Sequence, residues 1–281
     1  MELRKDIILF PGGKRKAFTL SYDDGVIQDK RFIELLRKYN LKSTFNLNSG
    51  TFGQTDHYPH LKVAHVKLNT EEISDVYEGF EVAVHTVTHP KLTAVPSGMV
   101  AYETAADRKA LESLVGYPVR GMAYPFGTYN QTVMNTLAEC GIEYARTVKN
   151  TRTFALPEDF LAWHPTCHHD DPELMNLADK FIEPNPRLGG APYLFYVWGH
   201  TYEFDSNENW DKLETFMARI SGHEDIWYAT NIEIVDYLNA TKQLKYSADG
   251  SMIYNPTCMT IWLNIFDVTY EIASGATVKI G

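Results

Sequence analysis

Apolar and polar positions alternate along the chain in two periods. Short β-branched and aromatic runs of period two are followed by stretches with the three-to-four-residue spacing of an amphipathic helix. AFTLSY (17–22), RFIELLRKY (31–39) and STFNLN (43–48) read as strand, helix, strand. A helix is expected to start at Asn69 and Thr70, then a strand FEVAVH (80–85), a long amphipathic helix over 99–115 and a strand VRGMAY (119–124). The next helix, NQTVMNTLAEC, has Asn130 as its N-cap and stops at Gly141, and the strand EYARTV follows. After LAWHPT (161–166), DDPELMNLADKF reads as a helix capped by Asp170 or Asp171, with Pro172 in its first position. YLFYVWGH (193–200), a helix over 210–220, IWYAT (226–230) and NIEIVDYLNAT complete the series. About seven strand–helix units in succession imply a parallel sheet, open or closed. The reading is an α/β fold, a distorted (β/α) barrel of about seven strands.

The texture changes near Lys242. From there to the end the helical period is lost, and turn signals stand at Asp249-Gly250, Asn255-Pro256 and Ser274-Gly275. The expected division is therefore a catalytic barrel over 1–241 and a small antiparallel β-rich appendage over 242–281, which either covers a sheet edge or makes a dimer contact. No internal repeat is present, which excludes solenoids.

Composition narrows the classes of function. The chain has 281 residues, 44% hydrophobic, enough for one large core. With 36 acidic and 26 basic side chains its formal charge is −10, which repels nucleic acid and anionic membranes and suits a neutral or cationic substrate. Near the N-terminus only residues 7–10 are apolar in succession before Pro11 and Gly12, too few for a signal-peptide core or a membrane span. The three cysteines, Cys140, Cys167 and Cys258, are odd in number and widely spaced, so reduced thiols are expected rather than a disulfide framework. Both features point to a soluble, cytoplasmic chain.

In a parallel α/β protein, ligands bind at the carboxyl ends of the strands. Asp23 and Asp24 close the first strand, His85 closes the third with His89 four residues on, Tyr124 to Gly127 follow the fourth, and His200 ends YLFYVWG. All of these converge on one rim. Two imidazoles four residues apart can present neutral nitrogens to one divalent cation, and a carboxylate would complete three ligands, leaving a position for water. Two adjacent carboxylates can divide the labour, one on the metal and one receiving a proton, while His200 has a suitable pKa to protonate a leaving group. Taken singly, each feature has a structural explanation: Asp-Asp-Gly is a common turn, two histidines four apart can hydrogen-bond within a loop, and a lone histidine is more often a core residue.

LSYDDG (20–25), HTVTHP (85–90), YPFG (124–127) and WGH (198–200) resemble, in that order, the motifs of the polysaccharide deacetylases, carbohydrate esterase family 4, over roughly residues 17–240. The resemblance implies a distorted (β/α) barrel, Asp23 as general base, and Asp24, His85 and His89 as metal ligands. It further implies that Tyr124, Pro125, Phe126 and Gly127 line the acetyl pocket, with the Phe126 N–H at the oxyanion, and that His200 is the general acid. Two departures stand out. The family's arginine partner of the base is absent, Ala123 standing in its place and Arg120 lying on the other strand face; Arg146, on the neighbouring strand, is the hypothetical substitute. The family's aspartate supporting the acid histidine is also missing beside Trp163, leaving Asp170, Asp171 or Glu203. Trp163, Trp198 and Tyr124 are candidate sugar-stacking surfaces, and the histidines of GQTDHYPHLKVAH (53–65) a substrate-side wall.

The resulting expectation is a metal-dependent hydrolase that removes N-acetyl groups from an amino sugar or polysaccharide. An esterase or amidase on a small substrate and an inactive carbohydrate-binding protein are the rivals. Zinc is the default ion for two nitrogens and one oxygen, with cobalt, nickel, iron or manganese compatible. The sequence leaves the oligomeric state open.

Overall fold

The computed structural model describes residues 6–183 and 191–280. Its main sheet has eight parallel strands. Along the sheet run Tyr144–Arg146, Gly121–Ala123, Glu81–Val84, Thr44–Leu47, Lys16–Asp23, Tyr193–Gly199 and Cys167–His168. Ile226–Tyr228 pairs with the first half of Lys16–Asp23, and Thr44–Leu47 with its second half. Main-chain bonds then join the two ends of the curled sheet. The Trp163 N–H donates to Ala145 at 3.0 Å and the Thr147 N–H to Trp163 at 2.9 Å, while the Thr166 N–H donates to Tyr196 at 2.8 Å. The stretch 163–168 thus bridges Tyr144–Arg146 and Tyr193–Gly199, and the architecture is the expected distorted (β/α) barrel.

Every residue of Lys16–Asp23 is buried, because this central strand has neighbours along both edges and is covered on both faces. Helices Asp29–Lys38, Ser97–Val115, Gln131–Glu139, Leu174–Ile182, Trp210–Ile220 and Asn231–Thr241 follow their strands. Asn130 caps its helix as expected, its side chain accepting the Val133 N–H. The helix after Pro172 starts later than expected. Asp171 Oδ1 accepts the Glu173 N–H at 2.9 Å, and that local bond holds a turn through Pro172, so the helix begins at Leu174.

The C-terminal segment is antiparallel. Ile261–Ile265 and Val268–Ile272 form a hairpin, and Asp6–Leu9 adds to its free edge, with Asp6 opposite Ile265. Lys245–Tyr246, Met252–Tyr254 and Thr277–Lys279 form a second small sheet. Phe10, Tyr237, Leu238, Ile261 and Leu263 share one apolar cluster, tying this segment to the last barrel helix. No helix among the described residues is long and apolar enough to cross a membrane. The three cysteines are unpaired.

Candidate active site

Because the barrel strands are parallel, their carboxyl ends gather on one rim, around a cavity of about 760 Å³. Asp23 is the last residue of the central strand and is 3% exposed. Its Oδ1 accepts from Asn46 Nδ2 at 2.8 Å and its Oδ2 from Arg146 Nη2. Burial alone would raise the Asp23 pKa, but the Arg146 guanidinium, with His85 and His200, holds it below its usual value. Arg146 is fully buried and stacks 4.4 Å from the centre of the Trp198 ring. Arg120, three residues before Ala123, instead pairs with Glu143 and Asp236.

Asp24 follows in a left-handed conformation (φ 85°), which turns its carboxylate away from that of Asp23. Lys67 Nζ lies 3.1 Å from its Oδ1 and His65 Nε2 3.4 Å from its Oδ2. Burial again opposes ionisation, and Lys67 and His65 outweigh it, keeping Asp24 well below the ordinary carboxylate range.

His85 Nδ1 donates to the Ala123 carbonyl at 2.8 Å, which fixes the tautomer and leaves the Nε2 lone pair free. His89 Nε2 faces it at 3.1 Å, and the Asp24 carboxylate completes a group whose ligand atoms lie within 4.8 Å of one another. Burial lowers the pKa of both imidazoles, that of His89 to about 4, so both are neutral in the physiological range. Two facing neutral imidazole nitrogens 3.1 Å apart, beside a carboxylate, suit a divalent cation. Asp24, His85 and His89 therefore fit a metal.

The loop carrying these histidines is strained, with Thr86 at φ 70° and His89 at φ 58°. One face of helix Ser97–Val115 holds it. Asp107 Oδ2 accepts the His85 N–H at 3.1 Å and its Oδ1 the Ser49 N–H at 2.7 Å. Glu103 takes the Thr88 N–H at 2.8 Å and its hydroxyl at 2.7 Å. Asp107→Ala orphans the half-buried Ser49 N–H, a loss worth about 1–3 kcal/mol, while the His85 N–H keeps its 2.9 Å bond to the Leu47 carbonyl. It is expected to lower stability by about that amount and metal affinity about 10–100-fold, as read by denaturant unfolding and calorimetric zinc titration.

His200 completes the rim, its Nε2 3.8 Å from Asp23 Oδ2 and its Nδ1 3.3 Å from Glu203 Oε2. Of the three acids considered for its support, Glu203 is the one in place. Asp171 binds Arg152, and Asp170 binds Asn207 and Asn209. Burial disfavours the imidazolium, but Glu203, together with Asp24 and Asp23, pushes the His200 pKa up to about 9.

Tyr124, Phe126 and Trp198 line the cavity, with Tyr58, His60, His65 and Tyr202 opposite. Pro125 is buried, and Phe126 sits at φ 58° with its ring 4.7 Å from that of His89. A Cβ on Gly127 (φ 64°) would meet Val148 Cγ2 at 2.2 Å, so only glycine fits that turn. Trp163 is a correction to the sugar-stacking expectation. It is 1% exposed, packs edge-on against Tyr144 and Tyr196, and borders a separate cavity of about 230 Å³. Its aromatic neighbours below the rim draw it inward.

Residues 11–145 match the polysaccharide deacetylase family model. This stretch belongs to the polysaccharide deacetylase family. An uncharacterised protein of Streptomyces coelicolor is 28% identical over 123 residues, which is 44% of this chain and 44% of that protein. The match thus spans less than half the length of this curated relative. Two solved structures share the fold. A putative polysaccharide deacetylase from Mycobacterium smegmatis is 17% identical over 86% of this chain and 96% of its own, with a TM-score of 0.59. The family 4 domain of a multidomain xylanase, from the hindgut metagenome of Trinervitermes trinervoides, is 18% identical over 84% and 99%, with a TM-score of 0.53.

Against the deacetylase motif pattern, this chain reaches Asp23 with an arginine from the neighbouring strand. Lys67, Asn46 and the Glu103–Asp107 pair have no role assigned from the sequence, and His65, expected on a substrate-side wall, instead stands against the Asp24 carboxylate. Lys67 and His65 lie in a loop without periodicity, and only its path across the rim brings them to Asp24.

Proposed function

We propose that the chain is a metal-dependent hydrolase that removes N-acetyl groups from an amino sugar or polysaccharide. The observation that carries this reading is the position of Asp23 Oδ2, 3.9 Å from the ligand-type nitrogen of His85 and 3.8 Å from His200 Nε2. A base, an acid and a three-donor metal set thus meet on the floor of one open cavity. When bound, the ion, zinc by default, supplies Lewis-acid polarisation of the acetyl carbonyl and an acidified water. Asp23, kept ionised by Arg146 and held in place by Asn46, takes the proton of the attacking water. His200, kept protonated by Glu203, delivers a proton to the departing amine. The Phe126 main-chain N–H is the proposed second donor to the oxyanion. Tyr58, Trp198 and Tyr202 offer flat faces for pyranose rings, and the acidic surface favours neutral or cationic sugars. The completeness of the polar set argues against an inactive binding protein.

The test is acetate release from N-acetylated sugars of increasing chain length and from O-acetylated esters, before and after chelation and after reloading with zinc. Metal-dependent release, stronger from amides, is the expected result. No release from any substrate by the metal-loaded protein would end the hydrolase reading, and release from esters alone would make it an esterase.

The acid carries a pH signature. Its native pKa of about 9 lies above the ordinary histidine value of about 6.5. The cation therefore contributes stability below about pH 6.5, lost as pH rises through about 9, and activity is expected to fall over the same upper limb. Glu203→Gln should pull that limb down toward pH 6.5, up to about 300-fold in proton concentration. An unmoved limb in a pH–rate profile would assign it to another group.

A further inference from the structure

We propose that His168, His200 and Glu203 form a second divalent-metal site, weaker than the first, whose occupation by zinc or a similar cation switches His200 off. His168 Nε2 lies 3.2 Å and His200 Nδ1 3.3 Å from the same oxygen, Glu203 Oε2. All three ligand atoms fall within 4.8 Å of one another. A four-coordinate zinc with bonds of about 2.0–2.1 Å sets its donors about 3.3–3.4 Å apart, so these groups already stand near ligand spacing.

A second observation points the same way. Although His200 Nδ1 is buried, it makes no directed hydrogen bond, and neither nitrogen of the buried His169 does. Yet His169 Nε2 also stands 3.2 Å from Glu203 Oε2. Three imidazoles crowding one carboxylate oxygen, with His200 Nδ1 and both His169 nitrogens unspent while His168 Nδ1 accepts the Asp170 N–H at 3.2 Å, is poor hydrogen bonding and good ligand geometry. Glu203 Oε2 takes the His200 main-chain N–H at 3.1 Å and keeps a second lone pair. The three side chains are 18–23% exposed, so an ion can reach them.

The site differs from the first in how it touches His200. Asp24, His85 and His89 leave that ring alone, whereas an ion on Nδ1 takes the place of the proton that the nearby Glu203 carboxylate favours there. His200 can then no longer carry two protons. The ion count stands whatever the chemistry; the inhibition rests on His200 being the acid.

The experiment is zinc binding to the full chain by equilibrium dialysis and native mass spectrometry, with acetate release followed at rising zinc. Wild type is expected to bind two ions, one tightly. His85→Ala should lose the tight class, and His168→Ala should keep it and lose the weaker one. Release should fall tenfold or more in wild type as the second ion binds, and stay flat in His168→Ala. One ion in wild type, or a weaker ion surviving in His168→Ala, overturns the site; two ions without inhibition overturns the switch. Should His168→Ala fail to fold, cobalt(II) titration of wild type decides. New visible absorption with the second equivalent supports the site, and none overturns it. No acetate release at one bound ion, with both ions still counted, would be a failure of the hydrolase reading alone.

Discussion

Asparagine in place of Asp23 is expected to cut acetate release about 10²–10⁴-fold, the usual contribution of a positioned base, with a much smaller change in KM. The amide keeps the size and one oxygen of the carboxylate but cannot take the proton. The loss should appear in kcat, since neither Asp24 nor the two histidines depend on Asp23 for their own hydrogen bonds. Zinc affinity measured by calorimetry should therefore stay close to that of wild type. A variant within tenfold of wild-type kcat would remove Asp23 from proton transfer. Loss of zinc binding along with activity would mean that the carboxylate serves the metal instead.

Arg146→Ala is expected to cost about 3–5 kcal/mol of stability, because it leaves a buried carboxylate without its counter-charge. Asp23 is 3% exposed and the guanidinium fully enclosed, so water cannot replace the lost partner. The stacking of Arg146 over Trp198 goes as well, loosening a cavity wall. In wild type the depressed Asp23 pKa contributes stability above the unfolded value of about 3.9, lost as pH falls through the native pKa. Without the arginine, burial dominates and that pKa rises, so the variant should lose stability and activity at a higher pH than wild type. Arg146→Lys should rescue little, since one ammonium cannot both reach Asp23 and stack flat on the indole. Urea unfolding across pH reads both effects, and a loss under 1 kcal/mol would show that the pair is readily replaced.

The strand–helix alternation was legible because each barrel element carries its own period: FEVAVH alternates as a strand, and Asn130 sits where a helix needs a cap. Asp23, His85 and His200 could be placed on one rim from strand ends alone, whereas Arg146, a hypothetical substitute on the strand beside Ala123, reaches Asp23 only because the sheet curls to bring its end strand across the barrel. What stayed hidden depends on contacts between distant segments. Nothing local marks Glu103 and Asp107, which read as the polar face of an amphipathic helix until the histidine loop is folded over them. Lys67 looks like any loop lysine. Trp163 was misplaced because the stretch that closes the barrel has only one or two paired residues at a time, too few to show which face turns inward. The delayed helix start at Leu174 came from a single side-chain bond at Asp171.

The pairing of Asp6–Leu9 with Ile261–Ile265 has a consequence for synthesis on the ribosome. The partners lie about 250 residues apart, so at about 5–20 residues per second the first strand waits roughly 10–50 s for its mate. Through that interval Phe10 and the edge beside it have no hairpin to cover them, although the barrel behind can already close. Nascent chains stalled before residue 261 should accordingly be the aggregation-prone and chaperone-bound species. Release of the C-terminal hairpin would then act as the final latch.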